Sequence, residues 1–220
     1  MYLALIGDLV SSRNIQNRQQ IQKQLLQLMD EINQRYKEVI ISPFTVTTGD
    51  EFQALLKIDA KIFQLIDDIS LSFLPYVIRF GVGSGQMLTD INLQQSIGSD
   101  GPAFWNARKA INLIHQRNDY GATQIAFCLG DEEASKQLNA LTAACEFIKS
   151  RWTDNQTEIL KTLLTMNLYQ EEFENKMIAH IMKISPSAFN KRLKASGLKI
   201  YLRNKEFSGQ LFLEAVKEEK

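Results

Sequence analysis

The sequence predicts an α+β fold: a ferredoxin-like domain over residues 1–150, followed by a small all-α helix-turn-helix domain over residues 151–220. Three observations carry this prediction. Apolar runs of β character alternate with helix-period stripes in the order β-α-β-β-α-β, the order of the split βαβ motif, with an α-β-α extension. Two Gly-Asp pairs, Gly7-Asp8 and Gly49-Asp50, sit at the edges of strand-like runs. Beyond residue 150 the strand signals stop and helix caps follow one another.

Taken in order, Tyr2–Ile6 is a short strand ended by Gly7-Asp8. Ser11, Ser12 and Asn14 are caps for a helix in which Ile21, Leu25, Leu28, Ile32 and Tyr36 form one buried stripe. Val39–Thr48 and Phe52–Leu56 read as a hairpin closed at Gly49-Asp50. Asp59 opens a second helix with Ile62, Leu65, Ile66, Ile69 and Phe73 inward. Tyr76–Val82 is a fourth strand leading into Gly81-x-Gly83-x-Gly85, which lacks the following helix of a dinucleotide fingerprint. A polar loop covers 89–101, and Pro102 suits the first turn of the next helix. Gln124–Leu129 is a further strand and Asp131–Ser150 a further helix.

The C-terminal part reads as three helices. Asp154 caps the first, which carries Ile159, Leu160, Leu163 and Leu164 on one side. The second, about Glu171–Met182, is expected to bury Phe173, Met177, Ile178 and Ile181. Ser185 caps the last, Pro186 takes its first position, and Gly197 ends it. Phe189 and Leu193 face inward there, while Ser187, Asn190, Lys191 and Lys194 share the outer face.

Net charge is zero, yet its distribution is uneven. Residues 1–150 hold 13 Lys and Arg against 16 Asp and Glu, and the remainder 12 against 9. From Lys183 to Lys205 there are seven basic residues and no acid. A short turn followed by a short basic helix is the helix-turn-helix pattern, so duplex DNA is the expected partner. Ser187, Asn190, Lys191, Lys194, Lys199 and Arg203 are the expected contacts. A homodimer is expected as well, because one such helix reads only a few base pairs. The alternatives are a solvated basic face and a protein-docking module.

Cys128 and Cys145 lie in apolar surroundings and suit buried thiols in a reducing cytosol. No apolar run approaches the ~20 residues that span a bilayer, and no signal-like segment opens the chain. The expectation is a soluble, cytoplasmic protein without a membrane partner. His115 and His180 stand alone, without zinc-ligand spacing, and are expected at the surface.

In the split βαβ topology the first strand lies beside the β-hairpin, so Asp8 and Asp50 converge. Two strand-end carboxylates suit Mg²⁺ (or Mn²⁺), which takes hard oxygen ligands and in turn grips a nucleoside triphosphate. The turn Gly49-Asp50-Glu51-Phe52, with Asp8 on the first strand, resembles the catalytic palm of class III nucleotidyl cyclases and GGDEF diguanylate cyclases over about the first 130 residues. Over the whole chain the resemblance is to the SatD family, through I-G-D-L-V-x-S-R, T-x-G-D-E-F-Q, D-G-P-A-F-W and the helix-turn-helix run I-S-P-S-A-F-N-K-R-L-K-A-S-G. That resemblance implies Asp8, Asp50 and Glu51 as metal ligands. Ser11, Ser12 and Arg13, where a strand end meets a helix N-terminus, are then placed to hold a phosphate. The cyclase resemblance implies Arg108, or Lys109 beside it, as the cation that steadies the reacting phosphate, although Asn106 and Arg108 stand one position out of the cyclase register, and a plain surface helix cation is the alternative. Val46 replaces the lysine with which class III cyclases read adenine.

The function expected from these readings is a DNA-binding regulator with a nucleotide- and Mg²⁺-binding sensor domain. An active metal-dependent nucleotidyl cyclase or nucleotidyltransferase is one alternative, and a protein-docking adaptor with a degenerate site is the other.

Overall fold

A computed structural model of the chain describes residues 1–11, 17–47, 49–117 and 121–218. The described residues form β1 (Tyr2–Leu9), α1 (Arg18–Arg35), β2 (Ile40–Val46), β3 (Glu51–Leu56), α2 (Ile62–Ser72), β4 (Ile78–Gly85), α3 (Pro102–Arg117), β5 (Ile125–Cys128), α4 (Glu132–Lys149), α5 (Asp154–Thr165), α6 (Asn175–Ile181), α7 (Pro186–Ser196) and α8 (Leu198–Glu218). The sheet order is β2-β3-β1-β4-β5. Neighbours run antiparallel except β4 and β5.

Alternation along the strands divides the sheet into two faces. On one, Leu3, Leu5, Phe52, Ala54, Phe80 and Val82 meet the apolar stripes of α1 and α2 in the main core. On the other, Ala4, Ile6 and Leu55 pack under Ala103, Phe104, Ala107 and Ile111 of α3. The five stripe residues expected on α1 and the five on α2 and its end are all buried.

Several local expectations are corrected. Gly7-Asp8 does not end β1, which continues to Leu9. Gly7 is there because the Phe52 ring lies across it, and a Cβ would collide with that ring. Gly81, Gly83 and Gly85 belong to β4 itself. A Cβ at Gly81 or Gly83 would strike the α3 backbone at Ala107, so these glycines let the helix lie directly on the strand.

In the C-terminal part Thr153, not Asp154, caps α5, its N–H donating to Gln156 Oε1 at 2.9 Å. The helix expected from Glu171 starts at Asn175. Met177 and Ile181 are exposed, while Ile178 and Ala179 are buried. Gly197 does end α7, with a left-handed φ of 63°, but the chain immediately resumes as α8, which no sequence signal announced.

At 21 residues α8 is about 30 Å long, enough to join two cores. Tyr201 and Leu202 pack with α5, α6 and α7, together with Leu71 of α2 and Cys145 of α4. Phe212, Ala215 and Val216 belong to the core beneath the sheet.

Lys205, read in sequence as part of the exposed basic run, is buried where these cores meet. Its Nζ lies 3.9 Å from both Asp67 Oδ1 and Glu146 Oε1. Lys149 Nζ reaches the same carboxylates at 3.1 and 2.7 Å. The hydroxyls of Tyr201, at 2.6 Å, and of Tyr169 donate to Asp67 Oδ2. Burial pushes the Asp67 carboxyl up, but Lys149, Lys205 and the two hydroxyls outweigh it and hold it at about 2. Burial, helped by the Asp67 and Glu146 carboxylates and opposed by Lys205 and Lys149, drives the neighbouring Cys145 thiol up to about 11.

Candidate functional site

Asp8 and Glu51 lie on the face that carries α3. Asp8 is in register with Glu51 of β3 on one side and Arg79 of β4 on the other, so all three side chains project from that face. Arg79 forks Asp8, with Nε to Oδ1 at 3.1 Å and Nη2 to Oδ2 at 2.8 Å. His115 of α3 closes the group, its Nδ1 2.8 Å from Arg79 Nη1 and its Nε2 3.9 Å from Asp8 Oδ2.

Arg108, about two helical turns earlier on α3, forks Glu51 at 2.5 and 2.7 Å. The Glu51 carboxylate raises the Arg108 pKa against the smaller opposing effect of burial. Asp50 follows the hairpin turn. Its carbonyl accepts from Leu9 N–H at 3.1 Å, and its carboxylate lies 4.0 Å from Arg18. Each acid is therefore faced by an arginine in a setting that water still reaches. The seating of α3 on Gly81 and Gly83 is what brings Arg108 and His115 over the acids.

Beside the Arg108–Glu51 pair, α3 and the loop before it enclose a groove of about 690 Å³. Ile6, Gln53, Ser99, Trp105, Lys109 and Asn112 are among its walls. The loop is fixed to the sheet. Gln53 Nε2 donates to the Ser96 carbonyl at 2.7 Å, Ser96 Oγ donates back to the Gln53 carbonyl at 2.8 Å, and Ser42 Oγ donates to the Asn92 carbonyl at 2.6 Å.

The structure thus brings Asp8, Glu51 and Arg108 together, with Asp50 at the same end of the sheet. Ser12 and Arg13 lie outside the described residues, as does Thr48. Ser11 is exposed, with a φ of 55°, and α1 begins only at Arg18 with Asn17 in the capping position. Ser11 is thus not at a helix N-terminus. Asn106 turns inward and donates to the Ser84 carbonyl at 2.8 Å. Arg79, and His115, which was expected at the surface, are neighbours of Asp8. The signal that could have found Arg79 is the strand alternation that places it opposite Asp8.

Of the residues expected to meet DNA, Ser187, Asn190, Lys191 and Lys194 are exposed on α7, where Asn190 Oδ1 accepts from Asn175 Nδ2 at 3.0 Å. Lys199 stands 5.3 Å over the Phe173 ring and 3.9 Å from Glu172. Arg203 forks Glu171.

Three hard carboxylates at one sheet end are the donor chemistry of Mg²⁺. Among the described residues, no three His, Cys, Asp or Glu side chains gather as a ready metal cage. The arginines occupy the carboxylates instead. The described residues include no helix long and apolar enough to cross a membrane.

A family model described as the SatD family matches residues 2–212. No curated protein matches the chain. Two solved structures of a bacterial light-regulated adenylyl cyclase are similar to part of it. One is 14% identical with a TM-score of 0.39, covering 57% of this chain and 74% of that one. The other is 15% identical with a TM-score of 0.40, covering 57% of this chain and 42% of that one.

Proposed function

The chain belongs to the SatD family, and for this member we propose a nucleotide sensor that binds a nucleoside triphosphate with Mg²⁺ and carries a DNA-binding output in its C-terminal helices. The observation that supports the sensor is the one-to-one pairing of acids with arginines: Asp8 with Arg79, Glu51 with Arg108, and Asp50 facing Arg18. Carboxylates and phosphates offer guanidinium groups the same bidentate geometry. A metal–triphosphate carries both halves of what such a site exchanges, a cation for the acids and anionic oxygens for the arginines. Asp8, Asp50 and Glu51 would hold Mg²⁺, which supplies charge neutralisation at the phosphates. The partial exposure of the pairs keeps the cost of parting them small.

Isothermal titration tests this. The parent protein should bind a nucleoside triphosphate only with Mg²⁺ or Mn²⁺, and Asp8→Ala or Asp50→Ala should abolish that binding while the fold persists. Unchanged affinity in both variants would remove the acids from the site. Product analysis in the same incubations separates a sensor from a nucleotidyl cyclase or nucleotidyltransferase, in which Arg108→Ala lowers turnover by orders of magnitude.

The DNA-binding output rests on α7. Ser185 Oγ accepts from Ala188 N–H at 3.2 Å and fixes the start of the helix. Its outer face presents Ser187, Asn190, Lys191 and Lys194 in the open. Asn can pair with adenine through a donor and an acceptor, and lysines add salt-sensitive attraction to phosphates. Fluorescence anisotropy with genomic fragments is the test. Absence of binding at about 50 mM salt, where such contacts are strong, would leave α7 as a protein-docking surface.

A further inference from the structure

Resting on the nucleotide-binding reading above, we propose that the groove beside α3 is the subsite for the nucleobase, with Trp105 as its stacking platform, and that the ligand is a purine nucleotide. Trp105 is a large aromatic residue that the fold leaves 53% exposed. It is nevertheless held, because its Nε1–H donates to Asp100 Oδ1 at 2.6 Å. An exposed ring in a fixed orientation is a surface on which a flat π-system gains contact at little entropic cost.

The groove also has the polar groups that read a base edge. Gln53 uses Nε2 to hold the loop at Ser96 and so turns its carbonyl oxygen the other way. Ser99 Oγ is buried without a hydrogen-bond partner among the described residues, and it lines the groove. A buried hydroxyl left unpaired costs stability that a ligand hydrogen bond restores. Asn112 adds an amide with both donor and acceptor. Ile6 and Phe104 give the groove an apolar floor.

Placement supports the same assignment. Trp105, Arg108 or Lys109, and Asn112 follow one another at i, i+3 or i+4, and i+7, so they form one stripe along α3. Arg108 is both a wall of the groove and the partner of Glu51. A base on Trp105 therefore lies one helical turn, about 5.4 Å, from the arginine proposed to meet phosphate. The volume of about 690 Å³ falls within the range of small-molecule sites. A purine, with two fused rings, covers more of an indole than a pyrimidine does.

Two variants and four ligands decide it. Parent protein, Trp105→Ala and Trp105→Phe are titrated with ATP, GTP, CTP and inorganic tripolyphosphate, each with Mg²⁺, by calorimetry and by tryptophan emission. The expected result is quenching of the parent by ATP or GTP, loss of most of that quenching in Trp105→Phe, and no quenching by tripolyphosphate. Trp105→Ala should weaken the better purine triphosphate about tenfold or more, as loss of one stacked aromatic does, and leave tripolyphosphate affinity unchanged. CTP should bind the parent more weakly than the purines. Nucleotide binding that is the same in Trp105→Ala and parent overturns the subsite while sparing the phosphate and metal reading. Equal binding of CTP and the purines overturns the assignment to purine. Failure of both tripolyphosphate and nucleotides to bind overturns this proposal together with the reading on which it rests.

Discussion

Two charged clusters of this molecule both pair carboxylates with cations, arginines at the sheet end and lysines between the cores, and they differ in their access to water. Asp8 and Arg79 retain 19% and 18% of their side-chain exposure, whereas Asp67 and Lys205 retain 0% and 1%. Among the described residues the two carboxylates and two ammonium groups of the buried cluster face one another and two tyrosine hydroxyls, and Lys205 also lies over the Phe63 and Tyr201 rings. Asp67, Glu146 and Lys205 are closed to solutes, so the cluster acts as a clamp joining α2, α4 and α8. At the sheet end water reaches the arginines, as the proposed exchange of carboxylate for phosphate requires. Burial decides whether an ion pair is architecture or an exchangeable site.

The largest expected effect probes the buried side of this contrast. Asp67→Ala leaves buried Lys205 and half-buried Lys149 short of a counter-charge and should lower unfolding stability by about 3–5 kcal/mol in urea titrations. Asp8→Ala, at the water-accessible cluster, should cost about 1 kcal/mol or less. Equal losses in the two variants would break the comparison.

Function should respond in the opposite sense. Arg79→Ala removes a charge-assisted contact from the proposed phosphate site and should weaken Mg²⁺–triphosphate binding about tenfold to a hundredfold. Lys205→Met should leave that affinity unchanged in whatever fraction stays folded.

Proton linkage sharpens the same contrast. The folded pKa of Asp67, about 2, is below the ordinary carboxylate value, so its contribution is fully present above about pH 4 and lost as the pH falls towards 2. That contribution is on the order of 2 kcal/mol. Chemical unfolding at a series of pH values should show this loss in the parent and a shallower slope in Asp67→Asn.

The smallest effect concerns the outer face of α7. Lys194→Ala should reduce the salt dependence of DNA binding by about one unit and weaken every sequence alike, while Asn190→Ala should relax sequence preference. Arg203→Ala should change that salt slope little, because Glu171 already neutralises the guanidinium.

Much of the architecture was legible from periodicity. The stripes Ile21–Tyr36 and Ile62–Phe73, the hairpin around Gly49-Asp50 and the Ser185-Pro186 helix start all stand where local rules place them. Those rules concern neighbours a turn or a strand residue apart, and such neighbours are visible in sequence. The approach of Asp8 to the Asp50 turn followed from topology, since β1 pairs with β3.

Cap positions aside, the larger missed features depend on partners distant in the chain. Asp67 sits on a helix whose every face is covered, and only the arrival of Tyr169, Tyr201 and Lys205 from the C-terminal helices makes a buried carboxylate tolerable there. Gly197 reads locally as a stop, and α8 exists because two separate cores each accept part of it.

Sequence by itself therefore determined the order of the elements, their inward faces and the acids at the sheet end, because each is set by short-range periodicity and turn chemistry. Tertiary structure decided which charges are free and which are locked. Arg79, His115 and Arg108 acquire their roles only when β4 and α3 are laid beside β1 and β3, and the energy of an ion pair depends on the water left around it.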